Sequence, residues 1–517
     1  MSQLKINEAV QQLKPGDTLT IPAGTYHEQI RMENISGTAD ALIRIVGENA
    51  PVINGGGKGI AFAVVNCEHI IIEGLHVTNA EYGIDVKSTP ARGALPLNGM
   101  VIRGNTVYGL DGSKDGGHAI AVYGENPHAP ISTLVIEGNK VYDNYLYWSE
   151  ALVVNGNIDG FVINENIVWN NDNIGIDIIG FEGKAGDNPD VDCARNGKVF
   201  DNIVFGSDTT GNEAYWSGNH NPEGWDGERR AKNAFGGEYD RCCGGIYVDG
   251  GWHIEIFHNF VFDNDLGIEI ATEHKPPLVT KDVHVHDNII CSSNGWAGLI
   301  FGGYAGHLGY TEECTFTHNI LLNNATSIAV QKSKGNRLEH NVIVGGWEAI
   351  DFNGDMAANN DFAANIWENT ENDEDYFNQL ETLPDAQKNA QQRGAGLLKD
   401  PAGGDFTLTA PAGFGTAWRP AQKYLDLYGA FLSAQEKADE AVEFLQGNEI
   451  KGTASDDKSL CTLLTDALHA GGHKTAAVAR IFKTAGSQHM VQVIVRYGEM
   501  NAFAQATTKE GVRVTAQ

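Results

Sequence analysis

Cations are scarce in this chain. Its 517 residues carry 36 Lys and Arg against 67 Asp and Glu, a formal charge of −31. That balance argues against a nucleic-acid partner, whose phosphates need Lys and Arg contacts. It also disfavours a polyanionic substrate unless a bound cation or a local basic patch intervenes. Cysteine is sparse too. The seven are odd in number and form no CxxC pair, so neither a zinc site nor a disulfide framework is expected. Buried or free thiols are expected, with a bridge from Cys193 to Cys242 or Cys243 as the alternative. No apolar run is long enough to span a bilayer, so no membrane partner is expected. The opening MSQLKINEAVQQL lacks the charged-then-apolar pattern of a signal peptide. The protein is then either cytoplasmic from Met1 or a secreted or periplasmic mature form whose signal has been removed. HExxH and Gly-rich phosphate loops are missing. DNPDVD (Asp187, Asp190, Asp192) alternates acids but lacks the glycine and closing glutamate of an EF-hand. No resident cofactor or metal is expected from these patterns.

Repetition is what the chain has in abundance. A short apolar strand, then Asn, then an aliphatic pair recurs as VIRGNTVY, VIEGNKVY, VINENIVW, VFDNIVF, IEIFHNFVF, VHVHDNII, TFTHNILL and RLEHNVIV. The recurring asparagines are Asn105, Asn139, Asn166, Asn202, Asn259, Asn288, Asn319 and Asn341. A second strand of pattern G-I-x-[IV] follows most units. Short β-branched strands at a fixed period, separated by turn residues, predict an all-β fold, a right-handed parallel β-helix. The asparagines predict an internal ladder whose side-chain amides bond from rung to rung. Residues 1–15 read as an N-terminal capping helix, needed because a bare sheet edge templates aggregation. Residues 16–370 form the helical array, 371–435 a closing segment and helix, and 436–517 a small α+β appendage. His284, His286, His318 and His340 fall on strands or beside ladder asparagines, and read as turn or surface residues.

Aligning the G-I-x-[IV]-x strands by their buried positions gives two outward columns. The first runs Asp85, Ala121, Val153, Asp177, Tyr247, Glu269, Ile300, Ala329 and Asp351. The second includes Lys87, Tyr123, Asn155, Ile179 and Asp249. Three successive rungs therefore carry Asp177, then Tyr247 with Asp249, then Glu269. With rungs about 4.8 Å apart and alternate residues about 6.6 Å apart, Asp177 and Asp249 lie roughly 8 Å apart at Cβ. The carboxyl groups then fall about 5–9 Å apart, which spans both geometries of glycoside hydrolysis. Like-charge repulsion in such a patch raises at least one pKa and keeps a proton available. Asp249 also precedes Gly-Gly, where an aspartate suits a turn. The three acids are expected to project into solvent beneath two long insertions, GFEGKAGDNPDVDCARNG and SDTTGNEAYWSGNHNPEGWDGERRAKNAFGGEYDRCC. Long loops in a compact array are usually functional.

Around the acids stand residues suited to a sugar, whose C–H faces stack on aromatic rings and whose hydroxyls hydrogen-bond. They are Tyr123, Glu150, Asn155, Tyr247 and, from the second insertion, Trp216, Trp225 and Arg230. ATEHKPP adds Glu273, His274 and Lys275, FGGYAGH adds Tyr304, and GGHAIAVYGEN adds His118. The expected partner is an oligosaccharide or polysaccharide. Asp177 and Asp249 are expected to be an acid/base pair, or nucleophile and acid, with Glu269 tuning or replacing one of them. Two alternatives stay open. One is a lyase in which the acids hold Ca²⁺ against a uronate and Lys275, Arg230 or Tyr247 is the base. The other is a glycan-binding or adhesin module without catalysis.

The repeats over roughly residues 15–370 resemble the pectin-lyase-like superfamily of right-handed parallel β-helix proteins. EALVVNGNIDGFVINENIVWNNDNIGIDIIGFEG, GGIYVDGG and LGIEIATEH are similar to a subgroup of bacterial β-helix carbohydrate-active enzymes. The lacto-N-biosidase-type β-helix glycosidases, with two catalytic aspartates, are a looser comparison. The resemblance implies the fold and a carbohydrate ligand. It does not fix the reaction, because the superfamily holds lyases, glycosidases, epimerases, adhesins and phage tailspikes. The polygalacturonase signatures are missing, as is a pectate-lyase pattern of calcium aspartates with a placed Lys or Arg.

Overall fold

The computed structural model describes residues 4–112, 116–209, 212, 241–303, 311–352, 359–368, 370–372, 381, 383–485, 487–500, 502–508 and 511–515. The chain divides into two units. The first comprises Met1–Ser207, Cys242–Lys399 and Phe406–Pro420 and is a right-handed parallel β-helix. Each turn gives one strand to each of three long sheets, as Ile158–Asn164, Ile167–Trp169 and Ile176–Ile179 do. The next turn repeats this with Ala194–Phe200, Ile203–Phe205 and Gly244–Asp249, each pairing in parallel with its predecessor. Valine and isoleucine alternate into the shared interior, where Ile176, Ile246 and Ile268 are fully buried. No rung could bury that face alone, so stacking supplies the core.

The ladder is present. Asn105, Asn139, Asn166, Asn202, Asn259, Asn288, Asn319 and Asn341 each donate Nδ2 to the Oδ1 of the next, at 2.9–3.1 Å, ending on Asn365. Each ladder oxygen after the first also accepts a backbone N–H from the preceding rung, as Asn259 does from Asn202. The residue before each ladder asparagine adopts positive φ, between 54° and 62°. Gly, Asp and His tolerate that conformation better than β-branched residues do. This accounts for His318 and His340 at their positions. At the start of the array, helix Ile6–Val10 buries Ile6 and Val10, and Glu28 accepts the N–H groups of Ile6 and Asn7.

The second unit comprises Asp208–Arg241, Asp400–Asp405 and Ala421–Gln517. Its helix Gln422–Gly447 buries Leu427, Phe431, Ala434, Ala438 and Leu445 at helical spacing. Helix Asp457–Ala470 begins with a capping box between Asp456 and Ser459. Strands Ala476–Ala485, Gln488–Tyr497 and Ala502–Thr507 pair antiparallel. Cys67, Cys193, Cys314 and Cys461 are free thiols. Among the described residues, no helix is long and apolar enough to cross a membrane.

Candidate active site

Strands Ile176–Ile179, Gly244–Asp249 and Leu266–Ala271 are consecutive in the eleven-stranded sheet. Their register pairs Asp177 with Tyr247 and Tyr247 with Glu269, while Ile178, Val248 and Ile270 align on the inner side. Asp249 lies two residues beyond Tyr247 on the same rung and pairs with Ala271. The outward column continues through Val153, Ala121 and Asp85 in one direction and through Ile300, Ala329 and Asp351 in the other. The three acids thus share one face at the spacing that the strand alignment gives.

Their exposure differs from expectation. Asp177, Tyr247, Asp249 and Glu269 are 2%, 4%, 8% and 1% exposed, so the acids do not project into solvent. The reason lies in the neighbours on the column. Ala121, Val153 and Ile179 form a buried apolar cluster with Tyr123 on one side. Leu266, Ala297, Ile300 and Ala329 form another with Trp296 on the other side. An outward face with apolar groups on both sides of the acids behaves as a second small interior, and the carboxyls are enclosed with it.

Enclosure sets the electrostatics. Asp177 is pushed well above the usual carboxylate range, first by burial and then by the carboxylates of Glu150, Asp249, Glu182 and Glu269. Glu269 is raised by burial, then by Glu273 and Asp249. Asp249 is raised by burial and by Glu273, but two donors favour its ionised form: the Glu273 N–H at 3.1 Å and the Thr272 hydroxyl. Tyr247 is raised by burial and then by Asp249 and Glu269. Among the described residues, Asp177 Oδ1, Glu269 Oε1, the Tyr247 hydroxyl and Asn155 Oδ1 are buried without a hydrogen-bond partner. Such groups destabilise a folded protein unless a ligand meets them.

Tyr123 and Asn155 pair in the second outward column. The Asn155 amide donates to Glu182 at 2.8 Å. Tyr123 makes a hydroxyl–imidazole contact of 2.6 Å with His118 Nε2. His118 Nδ1 lies 3.0 Å from the Glu150 carbonyl, which can only accept, so Nδ1 carries the proton and Nε2 accepts from Tyr123. Burial pulls His118 down to about 4, so the ring is neutral at physiological pH. The Glu150 carboxyl is 3.3 Å from His118 Nδ1 and is pushed up to about 8 by burial and then by Glu182. His274 is half-buried with its ring edge-on to Phe181, 5.9 Å away, and Lys275 is exposed. Trp216, Trp225, Arg230 and Tyr304 lie outside the described residues.

Glu182 is the member that sequence reasoning missed. It follows the outward strand in the first insertion, where no period marks its direction. The Asp192 carboxylate folds that insertion back by accepting the N–H groups of Gly183 and Ala185 at 2.5 and 2.7 Å. Asp192 is therefore committed to the loop backbone. Among the described residues, no three His, Cys, Asp or Glu side chains are grouped so as to hold a metal ion.

A family model described as periplasmic copper-binding protein (NosD) matches residues 232–376. A curated relative, the uncharacterized protein YwoF of Bacillus subtilis (strain 168), is 31% identical over 442 residues, covering 76% of this chain and 84% of its own. Among solved structures, the PL6 family alginate lyase AlyGC superposes with a TM-score of 0.46 at 13% identity, over 80% of this chain and 56% of its own. A mannuronic acid specific polysaccharide family 6 lyase from human gut microbiota gives 0.43 at 16%, over 80% and 94%. The GH136 lacto-N-biosidase from Eubacterium ramulus gives 0.42 at 12%, over 70% and 63%. These structural likenesses are of architecture.

Proposed function

The chain belongs to the family of Bacillus subtilis YwoF, and for this member we propose a carbohydrate-active enzyme, a glycoside hydrolase that uses Asp177 and Asp249. The observation that carries the reading is the register of three buried acids on consecutive rungs, with oxygens of Asp177 and Glu269 left without partners. Asp177 has its charged form disfavoured by burial and four neighbouring carboxylates, so it holds the proton and gives it to the departing glycosidic oxygen. Asp249 is raised as well, but two donors support its charge and Asp177 has none among its largest influences, so Asp249 is the readier of the two to ionise and is the partner that takes a proton from water. The backbone diagonal of about 8 Å puts the carboxyls about 5–9 Å apart, a span that admits both the inverting and the retaining arrangement. Glu269 tunes both acids. Tyr123, Asn155, Tyr247 and Glu150 hold the sugar, and Trp216, Trp225, Arg230 and Tyr304 are assigned to the same role from the sequence.

The test is digestion of a glycan panel by wild type, Asp177→Asn and Asp249→Asn. New reducing ends without near-ultraviolet absorbance are expected, with each variant reduced by about 10²–10⁴-fold, the usual contribution of a positioned acid or base. Full activity in Asp249→Asn refutes the assignment. The Tyr123–His118 pair favours a second reading, a lyase in which a neutral imidazole draws a proton through the phenol. That reading needs a Ca²⁺ to offset a uronate's charge beside these acids, and it yields an absorbing unsaturated product. The partial match to a periplasmic family supports a secreted or periplasmic location.

A further inference from the structure

The site gathers six carboxyl groups, those of Glu150, Asp177, Glu182, Asp249, Glu269 and Glu273, within mutual electrostatic reach. Among the described residues, Lys184 lies 3.5 Å from Glu182 and acts on Glu150, and Lys87 lies further out, 5.0 Å over the Tyr123 ring. The largest influences that raise Asp177, Asp249 and Glu269 are burial and neighbouring carboxylates. Glu269 is the most enclosed of the acids, and its Oε1 lacks a donor. Asn155 Oδ1 is a second buried acceptor without one. A ligand that satisfies this surface must bring donors and positive charge. A uronate adds negative charge to its hydroxyls, and a neutral sugar brings hydroxyls without charge. An ammonium group brings three N–H donors and the opposite charge, and its hydrogen bonds to carboxylates are among the stronger kind. The formal charge of −31 over the whole chain draws the same kind of ligand.

We propose that the ligand is cationic: an oligosaccharide of amino sugars whose amino groups are free, with one ammonium held by Glu269 while Asp177 and Asp249 face the scissile bond. This rests on the carbohydrate reading above and names its substrate class. The ammonium sits where Glu273 and Asp249 also contribute negative potential. Its arrival favours the ionised carboxylates, so protons leave the site as the ligand binds.

Titration calorimetry of the full chain with a glucosamine tetramer, the N-acetylglucosamine tetramer and spermine tests this. The glucosamine tetramer is expected to bind at least about ten-fold tighter than the acetylated one, equal to about 1.4 kcal/mol. The preference should shrink with added salt, and the heats should change with the ionisation enthalpy of the buffer. Glu269→Gln and Glu273→Gln should each erase most of the preference. Glu273 is exposed, so its variant serves if the buried one does not fold. Equal binding of the two tetramers overturns the inference, as does spermine binding as tightly as the glucosamine tetramer. Glucosamine binding without cleavage of any glycan upholds the inference and refutes the hydrolase. Asp249-dependent cleavage of a neutral glycan with charge-blind binding does the reverse.

Discussion

Replacing Asp85 with Asn isolates the energetic consequence of an acid on an enclosed outer face. Asp85 shares the outward column with Asp177 but lies three rungs away. It is 2% exposed, and its Oδ1 has no partner among the described residues. Burial pushes its carboxyl from 3.8 to about 6, even though the Lys87 ammonium 3.9 Å away pulls the other way. Between about pH 4 and 6 the folded protein therefore binds this proton more tightly than the unfolded chain does. Stability from this group is fully present below the unfolded pKa and is lost as pH rises to the folded pKa. At about 1.4 kcal/mol per unit, the loss is about 3 kcal/mol, complete somewhat above pH 6. Asn is neutral throughout and close in shape to the protonated acid. Guanidinium unfolding at pH 4 and pH 8, compared through midpoint and slope, is expected to show the two proteins nearly equal at pH 4. At pH 8 the variant should be more stable by about 3 kcal/mol. The other acids titrate alike in both proteins and cancel from the comparison. A difference that is the same at both pH values refutes the reasoning.

Asn259→Ala removes the acceptor of the Asn202 N–H and the donor to the Val199 carbonyl. At about 1–3 kcal/mol per orphaned buried group, a loss of roughly 2–6 kcal/mol is expected, read as faster hydrogen exchange in Val199–Phe205 and a lower unfolding midpoint. Tyr123→Phe deprives His118 Nε2 of its donor. It should lower kcat/KM about 10–100-fold on the glycan that wild type cleaves, with an unchanged circular dichroism spectrum; unaltered kinetics would remove Tyr123 from the site.

The array is legible in the chain because two local rules repeat without conflict. Apolar residues recur at every second position of the G-I-x-[IV] strands, and Gly, Asp or His, which tolerate positive φ, precede the ladder asparagine at all of the eight turns but that of Glu165. Strand register is then fixed, because a one-residue slip would turn Ile246 and Val248 outward and Tyr247 and Asp249 inward. This is why the columns of Asp177 and Glu269 follow from alignment alone. Enclosure is a different kind of property. It depends on side chains gathered from several rungs, and no local period encodes that. One trace was present: Val153, Ile179, Ile300 and Ala329 occupy outward positions that a solvated face would fill with polar groups. Glu182 escaped for a related reason. Its direction is set by Asp192, ten residues further on, bonding to backbone groups of an aperiodic insertion.

Backbone pairing, rather than side-chain fit, fixes the intervals between the acids. Repacking a neighbour can tilt Asp177 or Glu269 but cannot alter the interval between their Cα atoms, because the sheet measures it in whole rungs, like a ruler with one graduation. Ancestral change at such a site has only coarse moves available: an acid relocated by a full rung or by two residues along a strand, or a loop regrown above it. Homologues with different chemistry should therefore keep the lattice of positions and differ in which of its points carry a charge.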